Sequence, residues 1–171
     1  MTSALNWDKD SIQRQWQPID FDAPVSLSPI EKEYCRFYGL DFDNEFDHFV
    51  HAFGYNEVSD FRLATHYYRP RSGLSKGTLV LLHGYFDHAG LFTHFIRFCL
   101  ERDLSVVIYD LPGHGLSTGE PAGIEGFHRY VEILNHYIVW CQRNFDDPLY
   151  LLGQSTGGAI AMAYLIEQGY T

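Results

Sequence analysis

Ser155 lies at the centre of the stretch whose residue types could do chemistry. It stands between Gly153 and Gly157, after an apolar run at 149–152 and before a run of small residues. This order predicts a strand, a sharp turn and a helix, because the two glycines let strand and helix approach closely. The hydroxyl would stand at a helix N-terminus, where unpaired N–H groups favour negative charge. The pattern therefore indicates a nucleophile whose attack builds an oxyanion. The alternative is a glycine-rich turn with an incidental serine.

A second turn, His83-Gly84-Tyr85, follows another apolar run. Gly84 lets the backbone turn without a side chain in the way, so the N–H of Tyr85 could point at the same site. The N–H of Thr156, the residue after Ser155, would be its partner. Two such donors would form an oxyanion hole, in which loss of one donor typically adds about 3 kcal/mol to the barrier.

The side chains of this second turn also allow a metal interpretation. His83, Asp87 and His88 resemble in part the His-x-His-x-Asp-His ligand run of metallo-β-lactamase-type hydrolases. Tyr85 takes the place of the middle histidine, so we expect no metal and no cofactor. We expect His83 and His88 to hold the shape of the loop instead. Six other histidines show no ligand spacing: His48, His51, His66, His94, His128 and His136.

A third turn runs from Asp110 to Ser117 and contains one proline and two glycines. This composition predicts a tight and specific loop. His114, within it, could serve as a general base. We favour the alternative, in which His114 and Ser117 hydrogen-bond to the loop and, with Asp110, hold its shape near the site.

The elements that must carry these turns alternate along the chain. Apolar runs at 78–82 and 104–109 predict buried strands, and periodic apolar positions at 91–101 and 124–144 predict amphipathic helices. With the strand and helix around Ser155, this alternation predicts an α/β fold with a doubly wound, mostly parallel sheet. In such sheets the active site lies at the carboxyl ends of the strands, where all three turns fall.

The first 45 residues follow a different pattern. Residues 1–27 are polar with scattered aromatics, which indicates an irregular arm. Ser28-Pro29 then predicts a helix start, and Gly39 its end. Two strands are predicted next, over 46–54 and 60–69. We therefore expect an N-terminal extension at 1–45 and an enzyme domain at 46–171.

Composition limits the partners and the compartment. The net charge of −10 argues against nucleic acid and against an anionic membrane surface. Cys35, Cys99 and Cys141 lie far apart, which is typical of reduced thiols in a cytoplasmic protein. The start of the chain lacks the pattern of a signal peptide. No apolar run reaches the roughly 20 residues of a membrane-spanning helix.

Three motifs, in this order and spacing, resemble those of the α/β-hydrolase superfamily. Within it they are most similar to the monoacylglycerol lipase and lysophospholipase-like branch, which is also grouped with serine aminopeptidases. The motifs are His83-Gly84 with His88, Asp110-x-Pro112-Gly113-His114-Gly115-x-Ser117, and Gly153-x-Ser155-x-Gly157-Gly158. The resemblance covers about residues 46–171. It implies an α/β-hydrolase fold and a serine ester hydrolase that needs no cofactor. It also implies monoacylglycerols or lysophospholipids as small-molecule substrates.

By this resemblance Ser155 is the nucleophile, and the N–H groups of Tyr85 and Thr156 form the oxyanion hole. The sequence departs from the branch at Gln154, where His is common, and at Thr156, where Met is common. Both residues flank the serine and could alter the pocket, but neither departure removes a catalytic group.

The triad acid and histidine of this family follow the serine in the chain. After Ser155 this sequence has Glu167 as its one carboxylate and has no histidine. We therefore expect the N-terminal part of a longer enzyme, truncated after the nucleophile helix and inactive as 171 residues. Its edge strand should favour aggregation or a partner chain. The alternatives are a peptidase or acyltransferase with the same nucleophile, and an inactive binding protein of the same fold.

Overall fold

A sheet of five strands forms the centre of the structure, a computed structural model that describes residues 7–21, 26–42 and 44–169. The strands are β1 (Phe49–Val58), β2 (Phe61–Pro70), β3 (Thr78–Leu82), β4 (Ser105–Tyr109) and β5 (Leu149–Gly153). The helices are α1 (Lys9–Gln15), α2 (Pro29–Tyr38), α3 (Thr93–Leu100), α4 (Phe127–Asn144) and α5 (Thr156–Gln168). A 3-10 helix at Ala89–Phe92 leads directly into α3.

The strand order β1-β2-β4-β3-β5 explains how the sheet is covered. β4, β3 and β5 are parallel, and β1 and β2 add an antiparallel hairpin beside β4. The connection from β3 through α3 to β4 crosses the sheet in one direction. The connection from β4 through α4 to β5 crosses it in the opposite direction. Because such crossovers are right-handed, opposite directions of travel place α3 and α4 on opposite faces. The predicted α/β class with a doubly wound sheet is confirmed.

β3 shows how both faces of the sheet are buried. Leu79 and Leu81 belong to the core formed with α1, α2 and α3. Val80 and Leu82 belong to the core formed with α4 and α5. All four side chains are buried, as a continuous apolar run predicts for a central parallel strand. This packing fixes the carboxyl ends of β3, β4 and β5 at one edge of the sheet.

The hairpin is longer than its sequence pattern predicts. β1 runs over Phe49–Val58, past the predicted end at Gly54. Gly54 marks a close approach of two chain segments and not a strand end, since a Cβ there would lie 2.6 Å from the carbonyl oxygen of Gln17. At this point the N–H of Tyr55 donates a hydrogen bond to Gln17 O at 3.0 Å.

The N-terminal arm contains a helix that its sequence pattern does not predict. α1 begins after Asp8, whose side chain accepts a hydrogen bond from Ser11 N–H at 2.7 Å. Ile12 and Trp16 are buried in the core formed with α2 and α3. The irregular interpretation is wrong for residues 9–15, because two apolar positions four residues apart are too short a pattern to detect.

The next helix agrees with its sequence signals. Ser28 caps α2 and forms a capping box with Glu31, and Pro29 is the first helical residue. Gly39 ends the helix at φ 68°, the left-handed conformation that glycine favours. Of the predicted arm, residues 1–6 and 22–25 lie outside the described residues. The division of the chain at residue 45 stays a prediction.

β5 is an edge of the sheet in the part of the chain that is described. Its Tyr150 is exposed, and so are Met162, Leu165 and Ile166 on α5. An unpaired strand edge beside exposed apolar side chains is the combination that favours association with other chains.

Two further observations concern membrane-spanning helices and cysteines. Over residues 7–21, 26–42 and 44–169, no helix has the length and apolar character needed to cross a membrane. The three cysteines are buried and form no disulfide bonds.

The substitution Ile12→Ala tests whether α1 belongs to the core. Ile12 is fully buried, so this truncation should lower the free energy of unfolding by about 2–5 kcal/mol. The control Gln15→Ala, on the exposed side of the same helix, should change it by less than about 0.5 kcal/mol. Urea unfolding followed by circular dichroism measures both. Equally small effects would contradict a core role for α1.

Candidate active site

Ser155 occupies a strained turn between β5 and α5. Its backbone angles are φ 53° and ψ −115°, a region that residues with a side chain rarely adopt. α5 begins at the next residue, Thr156, and the serine side chain is exposed. The hydroxyl therefore stands outside the sheet at the N-terminus of a 13-residue helix, where the helix dipole favours negative charge.

The two glycines of the turn are required by close backbone approach. A Cβ at Gly157 would lie 2.7 Å from the carbonyl oxygen of His83, at the end of β3. A Cβ at Gly153 would lie 2.5 Å from the backbone nitrogen of Gly158 in α5. Gln154 N–H also donates to Leu82 O at 3.0 Å, which ties the turn to β3.

Two backbone N–H groups in the turns after β3 and β5 have no acceptor among the described residues. Among the described residues, neither Tyr85 N–H nor Thr156 N–H donates a hydrogen bond. The neighbours of these two residues are in contact, because a Cβ at Gly84 would collide with the side-chain amide of Gln154. The turns after β3 and β5 are thus adjacent, as a two-donor oxyanion hole requires.

His83 has both ring nitrogens occupied by the backbone. Its Nε2 accepts a hydrogen bond from Leu111 N–H at 2.8 Å. Its Nδ1 lies 2.7 Å from Gly84 O, and since a carbonyl only accepts, Nδ1 carries the proton. Burial lowers the pKa of His83 below its ordinary value, although the nearby carboxylate of Asp110 opposes this shift. The neutral ring therefore connects two turns by hydrogen bonds. Because Nδ1 is protonated and Nε2 accepts a hydrogen bond, neither nitrogen has a lone pair available for a metal.

Asp110 organises the turn after β4 through backbone donors. One carboxylate oxygen accepts a hydrogen bond from Ala89 N–H at 2.7 Å, and the other accepts from Leu116 N–H at 2.8 Å. Ser117 Oγ donates to Asp110 O at 2.6 Å and accepts from Ala64 N–H at 2.9 Å. Asp110 and Ser117 are fully buried, so these bonds replace the water that both groups lose on folding.

The other two histidines of the motifs also contact the backbone. His114 Nδ1 donates to Pro112 O at 2.9 Å, while its Nε2 is buried without a hydrogen-bond partner in the described structure. His88 Nδ1 accepts from Gly90 N–H at 3.2 Å at the start of the 3-10 helix. Within the described residues, no histidine hydrogen-bonds to Ser155.

Sequence reasoning missed the partners that give these motifs their shape. Asp110 accepts hydrogen bonds from the backbone N–H groups of Ala89 and Leu116, and His83 accepts one from that of Leu111. Backbone donors leave no signature in the residue types, so no pattern could have identified them. The Tyr85 hydroxyl donates to Ala122 O, another contact without a sequence signal.

The sheet order and the crossover helices give the chain an α/β-hydrolase fold. A carboxyl esterase from Bacillus coagulans shares the fold at a TM-score of 0.57 and 21% identity, over 71% of this chain and 41% of that chain. A soluble variant of monoglyceride lipase from Saccharomyces cerevisiae aligns at 0.55 and 18% identity, over 66% of this chain and 39% of that chain.

The family follows from the sequence comparisons. The profile of the serine aminopeptidase family S33 (Hydrolase_4) matches residues 73–171, and the chain belongs to this family. Human monoglyceride lipase is 33% identical over 103 residues, 60% of this chain and 34% of that protein. Phospholipase YtpA of Bacillus subtilis is 32% identical over 90 residues, 53% of this chain and 34% of that protein. The predicted branch is confirmed, and the chain matches about a third of the length of these relatives.

The substitution Gly157→Ala tests the close approach beneath Ser155. Its methyl group would collide with the backbone at the end of β3, so we expect a loss of stability of about 1–3 kcal/mol. Gly158→Ala is the matched control, since its methyl group would lie 3.2 Å from its nearest neighbour, Gly153 O, and helical alanine offsets the contact. Chemical denaturation compares the two variants. A Gly157→Ala protein as stable as Gly158→Ala would refute this account of the turn.

Proposed function

We propose that the protein carrying this sequence is a serine ester hydrolase with Ser155 as its nucleophile. The observation that carries the proposal is an exposed serine held at positive φ, directly before the first residue of α5. A non-glycine residue in that conformation costs free energy. It also aims the hydroxyl away from the sheet, as nucleophilic attack on a bound ester requires.

The proposed mechanism is acyl transfer through a covalent intermediate. Ser155 Oγ attacks the ester carbonyl carbon while a histidine takes the hydroxyl proton. The N–H groups of Tyr85 and Thr156 hydrogen-bond to the oxyanion of the tetrahedral intermediate. The alcohol leaves with the proton from the histidine, and water then releases the acid from the acyl-serine.

We propose that the general base and its orienting acid come from residues outside this sequence. His83 is bonded at both nitrogens, and the described hydrogen bonds of His88 and His114 are to backbone atoms. Order within the family supports the same assignment, since the acid and the histidine follow the nucleophile along the chain.

Monoacylglycerols or lysophospholipids are the substrates that we propose. The names of two relatives, monoglyceride lipase and phospholipase, support a lipid ester. Tyr85 and Phe86, beside the proposed oxyanion donor, are exposed aromatic residues. Their rings would offer an apolar surface to an acyl chain near the ester carbonyl. A cytoplasmic location is proposed from the absence of disulfides.

The family name favours one second candidate, an aminopeptidase that uses the same serine. The same turn would serve an acyltransferase, in which an acceptor other than water takes the acyl group. It would also be present in a binding protein of this fold that has lost its activity. Rates with a monoacylglycerol and with an aminoacyl p-nitroanilide separate these candidates. Faster turnover of the anilide would favour the peptidase.

A fluorophosphonate probe tests the nucleophile in the protein from the complete reading frame. We expect covalent labelling at Ser155, detected by peptide mass spectrometry, and loss of labelling in Ser155→Ala. The control Ser72→Ala, at an exposed serine in the loop before β3, should label normally. Labelling that survives Ser155→Ala would contradict the proposal.

The 171-residue chain by itself tests the need for an external base. An unassisted serine is a poor nucleophile, and loss of triad members costs on the order of 10⁴–10⁶ in rate. We therefore expect hydrolysis of p-nitrophenyl acetate by this chain to stay close to that of its Ser155→Ala variant. Ordinary enzyme rates, abolished by Ser155→Ala, would place a base within these residues.

A further inference from the structure

Three side chains outside the turns of the α/β-hydrolase motifs come together in the core beside β1 and β2. Cys35, His51 and His66 each offer one potential ligand atom, and these atoms all lie within 4.8 Å of one another. The three residues are distant in sequence, so their spacing gives no hint of the cluster. Among the described residues, these three side chains form the one group of potential metal ligands that lie this close together.

The sheet register brings the two histidines together. β1 and β2 pair His51 with Tyr68 and Phe53 with His66, which makes the histidines diagonal neighbours on one face. Each ring is stacked on an aromatic neighbour, His51 on Tyr68 at 4.3 Å and His66 on Phe53 at 4.2 Å between centroids. The stacking fixes both ring planes, so the site is preorganised.

The two ring nitrogens lie near the separation found in a tetrahedral metal site. His51 Nε2 and His66 Nδ1 share a hydrogen bond of 3.0 Å, which a metal bound to both nitrogens would replace. Bond lengths of zinc to nitrogen and sulfur imply separations of about 3.3 Å between two nitrogens and about 3.6 Å between sulfur and nitrogen. The potential ligand atoms lie within 4.8 Å of one another, so the rings would move apart by about 0.3 Å and the Cys35 side chain would move toward them by at most about 1.2 Å.

The protonation states also suit a metal. Burial lowers the pKa of His51 to about 3 and that of His66 well below its ordinary value, so both rings are neutral, the form that ligates metals.

A cavity of about 480 Å³ gives access to the cluster. Cys35 and His51 line it, together with Lys32, Arg36 and Arg71. The carboxylate of Asp41, which is paired with Arg36, also lines the cavity. The cavity also leaves room for a fourth, non-protein ligand.

We propose that Cys35, His51 and His66 bind one divalent metal ion of the zinc type, with the fourth position filled by water or a small anion from the cavity. Binding releases one proton, from the Cys35 thiol, because neutral imidazoles need only carry their proton on the other nitrogen. The ion joins α2 to the β1–β2 hairpin and is independent of chemistry at Ser155.

Cobalt titration of the reduced, metal-free 171-residue chain tests this site, since a cobalt–thiolate bond absorbs in the near ultraviolet. We expect the band to saturate at one equivalent of Co²⁺ and to disappear when Zn²⁺ is added. Loss of a supporting partner typically weakens metal binding about 10- to 100-fold, so loss of a ligand should weaken it at least about 100-fold. Cys35→Ser should therefore remove the band, and Cys99→Ser and Cys141→Ser should retain it.

His51→Asn, at the partly exposed ligand, provides a second variant if Cys35→Ser unfolds, with folding checked by circular dichroism. It should weaken Co²⁺ binding by the same factor. Absence of the band in the folded wild-type chain, or its persistence in folded Cys35→Ser, would overturn the proposal. A band that is lost only in Cys99→Ser or Cys141→Ser would do the same.

Discussion

The close approach of three backbone segments determines the site. β5 ends, α5 begins and β3 ends in a volume so small that Gly153 and Gly157 have no room for a side chain. The chain passes from strand to helix with Ser155 at φ 53°, and its side chain is left exposed. The free N–H of Thr156 follows from the same constraint, because it belongs to the first residue of the helix. One packing requirement thus supplies both an aimed hydroxyl and a backbone donor.

Most polar groups of the remaining motif residues form hydrogen bonds within the fold. His83 joins the turn after β3 to the turn after β4, and Asp110 joins the turn after β4 to the 3-10 helix. A buried polar group left without its partner costs about 1–3 kcal/mol, so each of these bonds holds its turn firmly. His83 and Asp110, which look reactive in the sequence, therefore form part of the scaffold around Ser155.

Much of this arrangement could be predicted from residue patterns. The apolar runs predict β3 and β4, and the glycines around Ser155 predict the turn, because each depends on local chemistry. α1 could not be predicted, since Ile12 and Trp16 gain their burial only from the folded sheet. His51 and His66 could not be paired either, because cross-strand register and not sequence spacing makes them neighbours. The sequence thus predicts elements and turns well, and contacts between distant segments poorly.

The central claim is that the turn at Ser155 and the backbone of Tyr85 bind one developing oxyanion. The direct measurement is a crystal structure of the protein from the complete reading frame after reaction with a phosphonate ester. Our account predicts a phosphonyl group on Ser155 Oγ, with one of its oxygens about 2.7–3.1 Å from the backbone nitrogens of both Tyr85 and Thr156. A phosphonyl oxygen directed away from these two nitrogens, or an adduct on another residue, would contradict it.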